Sequence, residues 1–220
     1  MERKRIAVDC FTVGPFMENC FILSNEEGKA VVVDPGDESE KIISHLEKNN
    51  LTPLVLLATH AHIDHIGAVE DLKKRYSVPF VLHKDDEGLL KMADEQSRMV
   101  GLSFGDIPEV DIFLKNENEV LTFDNFRFDV IHTPGHTRGG VCYKISDILF
   151  SGDTLFRNSI GRTDFPGGSY SQIMDSIINK IVPLGDDIRV FCGHGPDTTI
   201  GIERKNNPFI LDPEQYKNIL

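Results

Sequence analysis

The sequence has no tryptophan and only four cysteines among its 220 residues. The cysteines are far apart in the chain and form no Cys-x-x-Cys pair; they are Cys10, Cys20, Cys142 and Cys192. This spacing excludes the disulfide framework that holds small secreted domains together. We therefore expect all four side chains to be buried, reduced thiols in a cytoplasmic protein.

Basic residues are also scarce: 23 Lys and Arg stand against 35 Asp and Glu, for a formal net charge of −12. This balance argues against a nucleic-acid partner, which would call for a basic surface. No apolar stretch approaches the roughly 20 residues of a membrane-spanning helix. The charged start, residues 1–5, is followed by no apolar segment of the kind found in secretion signals. We expect neither a membrane partner nor export, and a small anionic substrate remains possible near local cations.

Segments typical of strands alternate with segments typical of helices, which predicts an α/β fold. Short apolar or alternating runs predict strands at 30–33, 54–57, 78–83, 126–131, 141–145, 148–150 and 188–192. Helices are predicted at 37–50, from near Gly67 to Tyr76, and at 171–181. The pattern fits an αββα sandwich of two mixed sheets flanked by helices, in one domain spanning 1–220.

Three details of this prediction can be checked directly. Asp37 and Glu40 have capping-box spacing at the start of the first helix. The helix at 171–181 should bury four side chains, those of Ile173, Met174, Ile177 and Ile178. The mixed composition of residues 94–111 predicts a loop.

The strongest chemical signal is the run of residues 59–65, Thr-His-Ala-His-Ile-Asp-His, directly after a buried strand. Extended backbone places alternate side chains on one side, so His60 and His62 can approach one ion together. The following turn directs Asp64 and His65 elsewhere. Four imidazole and carboxylate ligands within six residues exceed the needs of one tetrahedral ion. The spacing therefore indicates two metal ions.

Three more candidate ligands follow predicted strands, each beside a glycine. They are His136 in Pro-Gly-His-Thr, Asp153 in Ser-Gly-Asp-Thr and His194 in Gly-His-Gly. Glycine permits unusual backbone angles and a close approach of the main chain to an ion. Each motif alone is weak, but the ordered set of seven ligands predicts a metal cage.

The ordered series His-x-His-x-Asp-His, Gly-His, Gly-Asp and Gly-His resembles that of the metallo-β-lactamase superfamily. Within it, the chain is similar to the glyoxalase II group, through residues 96–99, 161–166, 203–204 and 207–209. The resemblance implies that His60, His62 and His136 bind one metal ion. It implies that Asp64, His65 and His194 bind the second, and that Asp153 bridges the two.

This likeness implies two divalent ions, expected to be zinc, although iron or manganese would also suit the ligands. Two cations that share a water lower its pKa and give a bridging hydroxide, which attacks a carbonyl carbon polarised by the metals. Asp64 and Asp153 are the carboxylates expected to take part in catalysis. The resemblance favours thioester hydrolysis of the hydroxyacylglutathione hydrolase type, on a small anionic substrate.

Full-length glyoxalase II enzymes carry a C-terminal helical region that binds glutathione, and only 26 residues follow His194 here. We therefore expect that region to be absent, so that another thioester, or glutathione held by other loops, would be the substrate. The sequence leaves the oligomeric state open.

Two alternatives remain. A persulfide dioxygenase with one iron on His60, His136 and Asp153 shares a stretch like residues 161–165, although the Gly-His-Gly-Pro at residues 193–196 resembles the hydrolases more closely. The other alternative is a binding protein that keeps the fold without chemistry.

Several polar residues are expected to act outside the cage. Asp34, at another strand end, is predicted to orient a ligand or its loop. His45, His83 and His132 are expected to be ordinary hydrogen-bonded side chains. Four arginines could pair with substrate carboxylates, although fixing loops is the expected role of each: Arg138, Arg157, Arg162 and Arg204.

Overall fold

The computed structural model describes residues 6–217. These residues form two compact units, one made of 6–82 and 87–114 and the other of 83–86 and 115–217. The single domain spanning 1–220 stays a prediction. Within the described residues, no helix combines the length and apolar character needed to cross a membrane.

The first unit is built on a mixed six-stranded sheet with the strand order β1-β2-β3-β4-β5-β6. β1 to β3 are antiparallel neighbours, whereas β3, β4 and β5 run parallel. Val32 and Leu56 are fully buried on the central strands, as the apolar runs predicted. The strand bounds are β1 Ala7–Val13, β2 Glu18–Ser24, β3 Lys29–Val33, β4 Thr52–Leu57, β5 Phe80–His83 and β6 Ile112–Leu114.

Five helices belong to the first unit, and two of them supply much of its core. Ile42 and Leu46 of α1 and Val69 and Leu72 of α3 have no exposed surface and pack in the same cluster as the strands. These positions lie three or four residues apart, on one face of each helix. The bounds are α1 Ser39–Lys48, α2 Ile63–Ile66, α3 Val69–Tyr76, α4 Glu87–Lys91 and α5 Ala93–Met99.

The second unit contains another six-stranded sheet, ordered β14-β13-β10-β9-β8-β7, and a hairpin of β11 and β12. β10 and β13 run parallel, and the other pairs of the sheet are antiparallel. The candidate ligands His136, Asp153 and His194 follow β8, β10 and β13. The bounds are β7 Asn118–Phe123, β8 Phe126–His132, β9 Val141–Ile145, β10 Ile148–Gly152, β11 Leu155–Phe156, β12 Ser159–Ile160, β13 Arg189–Cys192 and β14 Thr198–Thr199.

Helical segments of the second unit include one long stretch and a C-terminal group. The long stretch begins as an α-helix, widens into a π-helix and ends in a 3-10 turn. The bounds are a 3-10 turn at Lys84–Asp86, α6 Tyr170–Asp175, the π-helix Ser176–Ile181, the 3-10 turn Val182–Leu184, α7 Ile200–Asn206, α8 Pro208–Leu211 and α9 Pro213–Tyr216.

The π-helix corrects one prediction. Ile173, Met174 and Ile177 are buried as expected, but Ile178 is exposed. The prediction assumed a constant 3.6 residues per turn, and the wider π-turn rotates the following side chains away from that phase. Ile178 therefore leaves the buried face.

The prediction of a capping box in the first unit is also wrong. Asp37 and Glu40 do not form a capping box: Glu38 is the residue before α1, in a left-handed conformation with φ 50°, and no side chain caps the helix. Asp37 Oδ1 instead accepts a hydrogen bond from the Glu38 amide at 2.6 Å. The helix predicted from near Gly67 to Tyr76 is confirmed as α3, Val69–Tyr76, and a separate short helix, α2, precedes it from Ile63.

The stretch 94–111 and one cysteine also differ from expectation. Residues 94–99 belong to α5, and only the rest of the stretch is a loop before β6. Cys10 is exposed, whereas Cys20, Cys142 and Cys192 are buried, and all four are free thiols. Cys10 lies on β1, the edge strand of its sheet, where most side chains are exposed or half-buried.

A buried polar network holds the C-terminal helices to the β11–β12 hairpin. Glu203 accepts hydrogen bonds from the Asn158 amide at 2.7 Å and from Thr198 Oγ1 at 2.5 Å. Asn207 Nδ2 donates to Glu203 Oε2 and to the Ser159 carbonyl, both at 2.9 Å. Glu203 and Asn207 have no exposed surface. Glu203 and Asn207, from the stretches 203–204 and 207–209 that resemble the glyoxalase II group, therefore have a structural role.

We expect Asn207→Ala to lower the free energy of unfolding by about 2–3 kcal/mol, because it removes a donor from the buried Glu203 carboxylate. Asn206→Ala is the matched control, since Asn206 is exposed and should change that free energy by less than about 0.5 kcal/mol. Chemical denaturation of both variants measures the difference. Equal losses of stability would contradict the role assigned to Asn207.

Candidate metal centre

Three histidines converge in the loop between β4 and α2 and in α2 itself. His60 Nε2 lies 3.0 Å from His62 Nδ1, and the two rings meet edge to face. The ring of His65 lies 4.1 Å from that of His60, measured between centroids. His60 and His65 are almost completely buried. The first unit thus brings together the imidazoles that the sequence predicted as ligands.

Asp34 fixes this group from the end of β3. Its carboxylate accepts hydrogen bonds from the Thr59 amide at 2.6 Å and from the Thr59 hydroxyl at 2.7 Å. Its Oδ2 also lies 3.1 Å from His65 Nδ1. A carboxylate at this position favours the tautomer with the proton on Nδ1 and leaves the Nε2 lone pair for a metal. This arrangement agrees with the orienting role predicted for Asp34.

Asp64 lies on the other side of His65. Its Oδ2 is 3.9 Å from His65 Nε2, the nitrogen that faces away from Asp34. The carboxylate and the imidazole can therefore be ligands of one ion after modest side-chain adjustment.

In the second unit, one carboxylate oxygen lies beside two histidines. Asp153 Oδ2 is 3.5 Å from His136 Nε2 and 3.6 Å from His194 Nε2. Ligand atoms at about 2.1 Å from one tetrahedral zinc ion are about 3.4 Å apart, so both distances suit shared coordination. His136 Nδ1 lies 2.8 Å from the Arg162 carbonyl oxygen, which favours a proton on Nδ1 and leaves Nε2 for a metal.

The loop that carries His136 is held by a residue the sequence did not single out. Asp86 is buried, and its carboxylate accepts hydrogen bonds from Thr137 Oγ1 at 2.8 Å and from the Gly139 amide at 2.6 Å. Asp86 and Thr137 are 51 positions apart, so no local pattern could reveal the contact. Gly139 packs closely against Asp86: a Cβ at position 139 would lie 2.8 Å from the Asp86 Cβ.

Gly161 lies against Asp153, a contact that the sequence did not predict. A Cβ at this position would lie 1.8 Å from the Asp153 carbonyl oxygen and 3.2 Å from His136 Nδ1. Only glycine allows the backbone of this loop to pass so close to both candidate ligands.

These donors fit divalent metal ions. Imidazole nitrogens and carboxylate oxygens are the ligands of zinc and of other first-row metals. In each unit, pairs of candidate donor atoms already lie 3.0 to 3.9 Å apart. Asp34 lies beside Nδ1 of His65, and the Arg162 carbonyl lies beside Nδ1 of His136. The opposite nitrogen of each ring, Nε2, faces the other candidate donor atoms, as metal-binding histidines require.

The remaining histidines lie outside this set, as predicted. His45 Nε2 lies 3.2 Å from Asp9 on the surface of the first unit. The rings of His83 and His132 stack with centroids 4.2 Å apart and planes 12° from parallel. Burial lowers the pKa of His83, and the nearby His132 lowers it further. Lone pairs of nearly parallel rings do not converge on one point, so this pair makes a poor chelate.

Two of the four arginines fix loops. Arg162 forms two hydrogen bonds of 2.7 Å with Asp164 and lies over the Phe165 ring. Its hydrogen bonding lowers the pKa of Asp164 to about 2. Arg204 binds Asp186 through two nitrogens in the same way. Arg138 and Arg157 are exposed.

Known proteins resemble this chain over most of its length. Residues 13–194 match the family model of the metallo-β-lactamase superfamily. Hydroxyacylglutathione hydrolase GloC of Haemophilus influenzae is 39% identical over 92% of this chain and 97% of its own length.

Two solved structures agree with this match. The BLEG-1 B3 metallo-β-lactamase has a TM-score of 0.88 and 42% identity, covering 93% of this chain and 99% of that one. TTHA1623 in a di-iron-bound form has a TM-score of 0.83 and 38% identity, covering 91% and 99%. These likenesses confirm the predicted fold class.

We expect Asp34→Asn to weaken metal binding about 10- to 100-fold, because an amide has only one oxygen and cannot replace both carboxylate oxygens, one facing the Thr59 amide and the other facing the Thr59 hydroxyl and His65 Nδ1. Asparagine tolerates the left-handed backbone of this position, where φ is 50°, so the fold should survive. Competition with a chelator measures the affinity. Asp9→Asn, at an exposed carboxylate beside His45, is the control, and equal effects would contradict the orienting role.

Proposed function

Because the chain belongs to the metallo-β-lactamase superfamily and is a metallo-hydrolase, we propose that it hydrolyses thioesters as a hydroxyacylglutathione hydrolase does. The observation that carries the proposal is the convergence of candidate ligands in each unit, at the positions of the motif series. Likeness to GloC supports the thioester substrate.

In this proposal, seven residues bind two divalent ions. His60, His62 and His136 bind one ion. Asp64, His65 and His194 bind the other, and Asp153 binds both. When bound, the ions act as Lewis acids that make a water nucleophilic at neutral pH and withdraw electrons from the substrate carbonyl. Zinc is the proposed metal, although the likeness to a di-iron-bound structure means that iron is a natural second choice.

The protein residues contribute orientation and charge. The Asp34 carboxylate beside His65 Nδ1 and the Arg162 carbonyl beside His136 Nδ1 favour a proton on each Nδ1, which leaves each Nε2 for an ion. Carboxylates of Asp64 and Asp153 supply negative charge that the cations offset. A rigid ligand set of this kind lowers the cost of reorganisation during the reaction.

A thioester suits such a site for chemical reasons. Its carbonyl is electrophilic, and the thiolate is a good leaving group, so the reaction needs no strong general acid. The net charge of −12 would repel an anionic thioester at long range, but two divalent cations reverse the field locally.

We expect the purified protein to contain two divalent metal ions per chain by elemental analysis. Asp153→Ala should lose at least one ion and lower kcat by at least about a hundredfold, since even residues that only orient a ligand cost 10- to 100-fold. His45→Ala, which alters a surface histidine, should change neither value. One tightly held iron with no second site after loading with zinc or manganese would contradict the proposal.

S-Lactoylglutathione should release thiol in the presence of the protein, without consumption of oxygen. A thiol-reactive dye measures the release of thiol. An oxygen electrode, with glutathione persulfide as substrate, tests the dioxygenase reaction. Oxygen uptake in proportion to persulfide, with sulfite as product, would assign the chain to the dioxygenases instead. Full metal loading without turnover of any thioester would favour a protein that binds metal without chemistry.

A further inference from the structure

A cleft of about 110 Å³ opens in the first unit beside the candidate ligand Asp64. Its walls come from the loop between β1 and β2, from the start of α2, and from the loop that follows α5. Phe16 and Leu102 stand at 41% exposure on two of these walls, and Ile63 and Phe104 add further apolar side chains to a lining that also contains Ser97 and Ser103.

The position of Asp64 in the cleft is fixed by close backbone packing. A Cβ on Gly36 would lie 1.8 Å from the Asp64 carbonyl oxygen, and a Cβ on Gly67 would lie 2.3 Å from the Gly36 carbonyl oxygen. Both glycines line the cleft. The backbones at Gly36 and Asp64 therefore touch without side chains between them. The cleft is lined at this point by Asp64, the residue proposed to bind metal.

The charges in the cleft have one sign. Asp37 and Asp64 contribute carboxylates, and none of the described residues that line it is Lys or Arg. The glutathione portion of a thioester carries carboxylates of its own, so it is repelled here. An acyl chain, in contrast, is apolar and uncharged, and it matches the apolar side chains of the lining.

α5 ties the cleft to the histidine loop. Gln96 Nε2 donates to the Leu89 carbonyl at 2.8 Å and reaches the Ala61 carbonyl, between two candidate ligands, at 3.4 Å. The next residue, Ser97, lines the cleft. The stretch 96–99, noted first as a likeness to the glyoxalase II group, therefore joins one wall of the cleft to the backbone of the ligand loop.

We propose that this cleft binds the acyl chain of the substrate and that the chain prefers short linear apolar acyl groups over lactoyl. The inference rests on the proposed thioester hydrolysis and extends it to a substrate class. A cavity of about 150 Å³ holds benzene, so about 110 Å³ suits a chain of about four carbons beyond the carbonyl. Lactoyl is shorter than such a chain, so it covers less of the apolar part of this lining and gains less from burial.

The first test is a series of glutathione thioesters with acetyl, butanoyl, hexanoyl and lactoyl groups. Each methylene that enters the cleft should raise kcat/KM about fourfold, so butanoyl, with two more methylenes, should exceed acetyl by about fifteenfold. Hexanoyl should be the best substrate of the four. Equal values across the series, or a maximum at lactoyl, would overturn the acyl assignment and leave thioester hydrolysis intact.

Leu102→Lys tests the lining directly. A lysine there should lower kcat/KM for hexanoyl at least tenfold and raise it for a succinyl thioester, whose acyl group ends in a carboxylate. Ile107→Lys is the matched control, because Ile107 has 40% exposure in the same loop but does not line the cleft. The same change of specificity in both variants would contradict the inference.

Binding without turnover separates this inference from the proposed reaction. S-Hexylglutathione, a thioether that cannot be hydrolysed, should bind at least tenfold more tightly than S-methylglutathione by calorimetry, and Leu102→Lys should abolish that difference. If this holds but no thioester is cleaved, the proposed reaction fails and the cleft remains supported. If the two thioethers bind equally, the cleft assignment fails whether or not hydrolysis occurs.

Discussion

A single buried carboxylate, that of Asp34, fixes the end of β3 to the loop after β4 and to α2. It accepts from the Thr59 amide and hydroxyl, and it lies 3.1 Å from His65. Its left-handed backbone turns the chain so that the carboxylate points back at the neighbouring strand end. Because Thr59 precedes His60 directly, the same contacts set the start of the histidine loop. Thr59 Oγ1 also lies 3.1 Å from His60 Nδ1, so the orientations of His60 and His65 depend on this one side chain.

Negative charge is concentrated around that point. Glu18 and Asp34 are both buried close to His65, with Glu18 Oε1 3.9 Å from its Nδ1. Burial raises the pKa of the neighbouring Cys20 thiol, and these two carboxylates raise it further. A buried group of carboxylates is costly unless cations offset it. The fold therefore supplies a physical reason for cation binding in addition to the ligand geometry.

Local patterns made much of this predictable. The His60–His65 motif and the glycines beside Asp153 and His194 lie in short segments, so spacing alone indicated their chemistry. Features that depend on distant residues were not predictable, such as the Asp86 contact with Thr137 or the close approach of Gly161 to Asp153. Ile178 was misplaced because a π-helix changes the period on which the prediction relied. Cys10 was misplaced because the sequence does not reveal which strand lies at a sheet edge.

The central claim is that ligands from both halves of the chain bind a pair of ions. Anomalous X-ray diffraction at the zinc absorption edge, from crystals of the zinc-loaded protein, tests it most directly. The account predicts two anomalous peaks per chain, one bonded to His60, His62 and His136 and the other to Asp64, His65 and His194, with the Asp153 carboxylate bonded to both. A single peak bonded only to His60, His136 and Asp153 would contradict it.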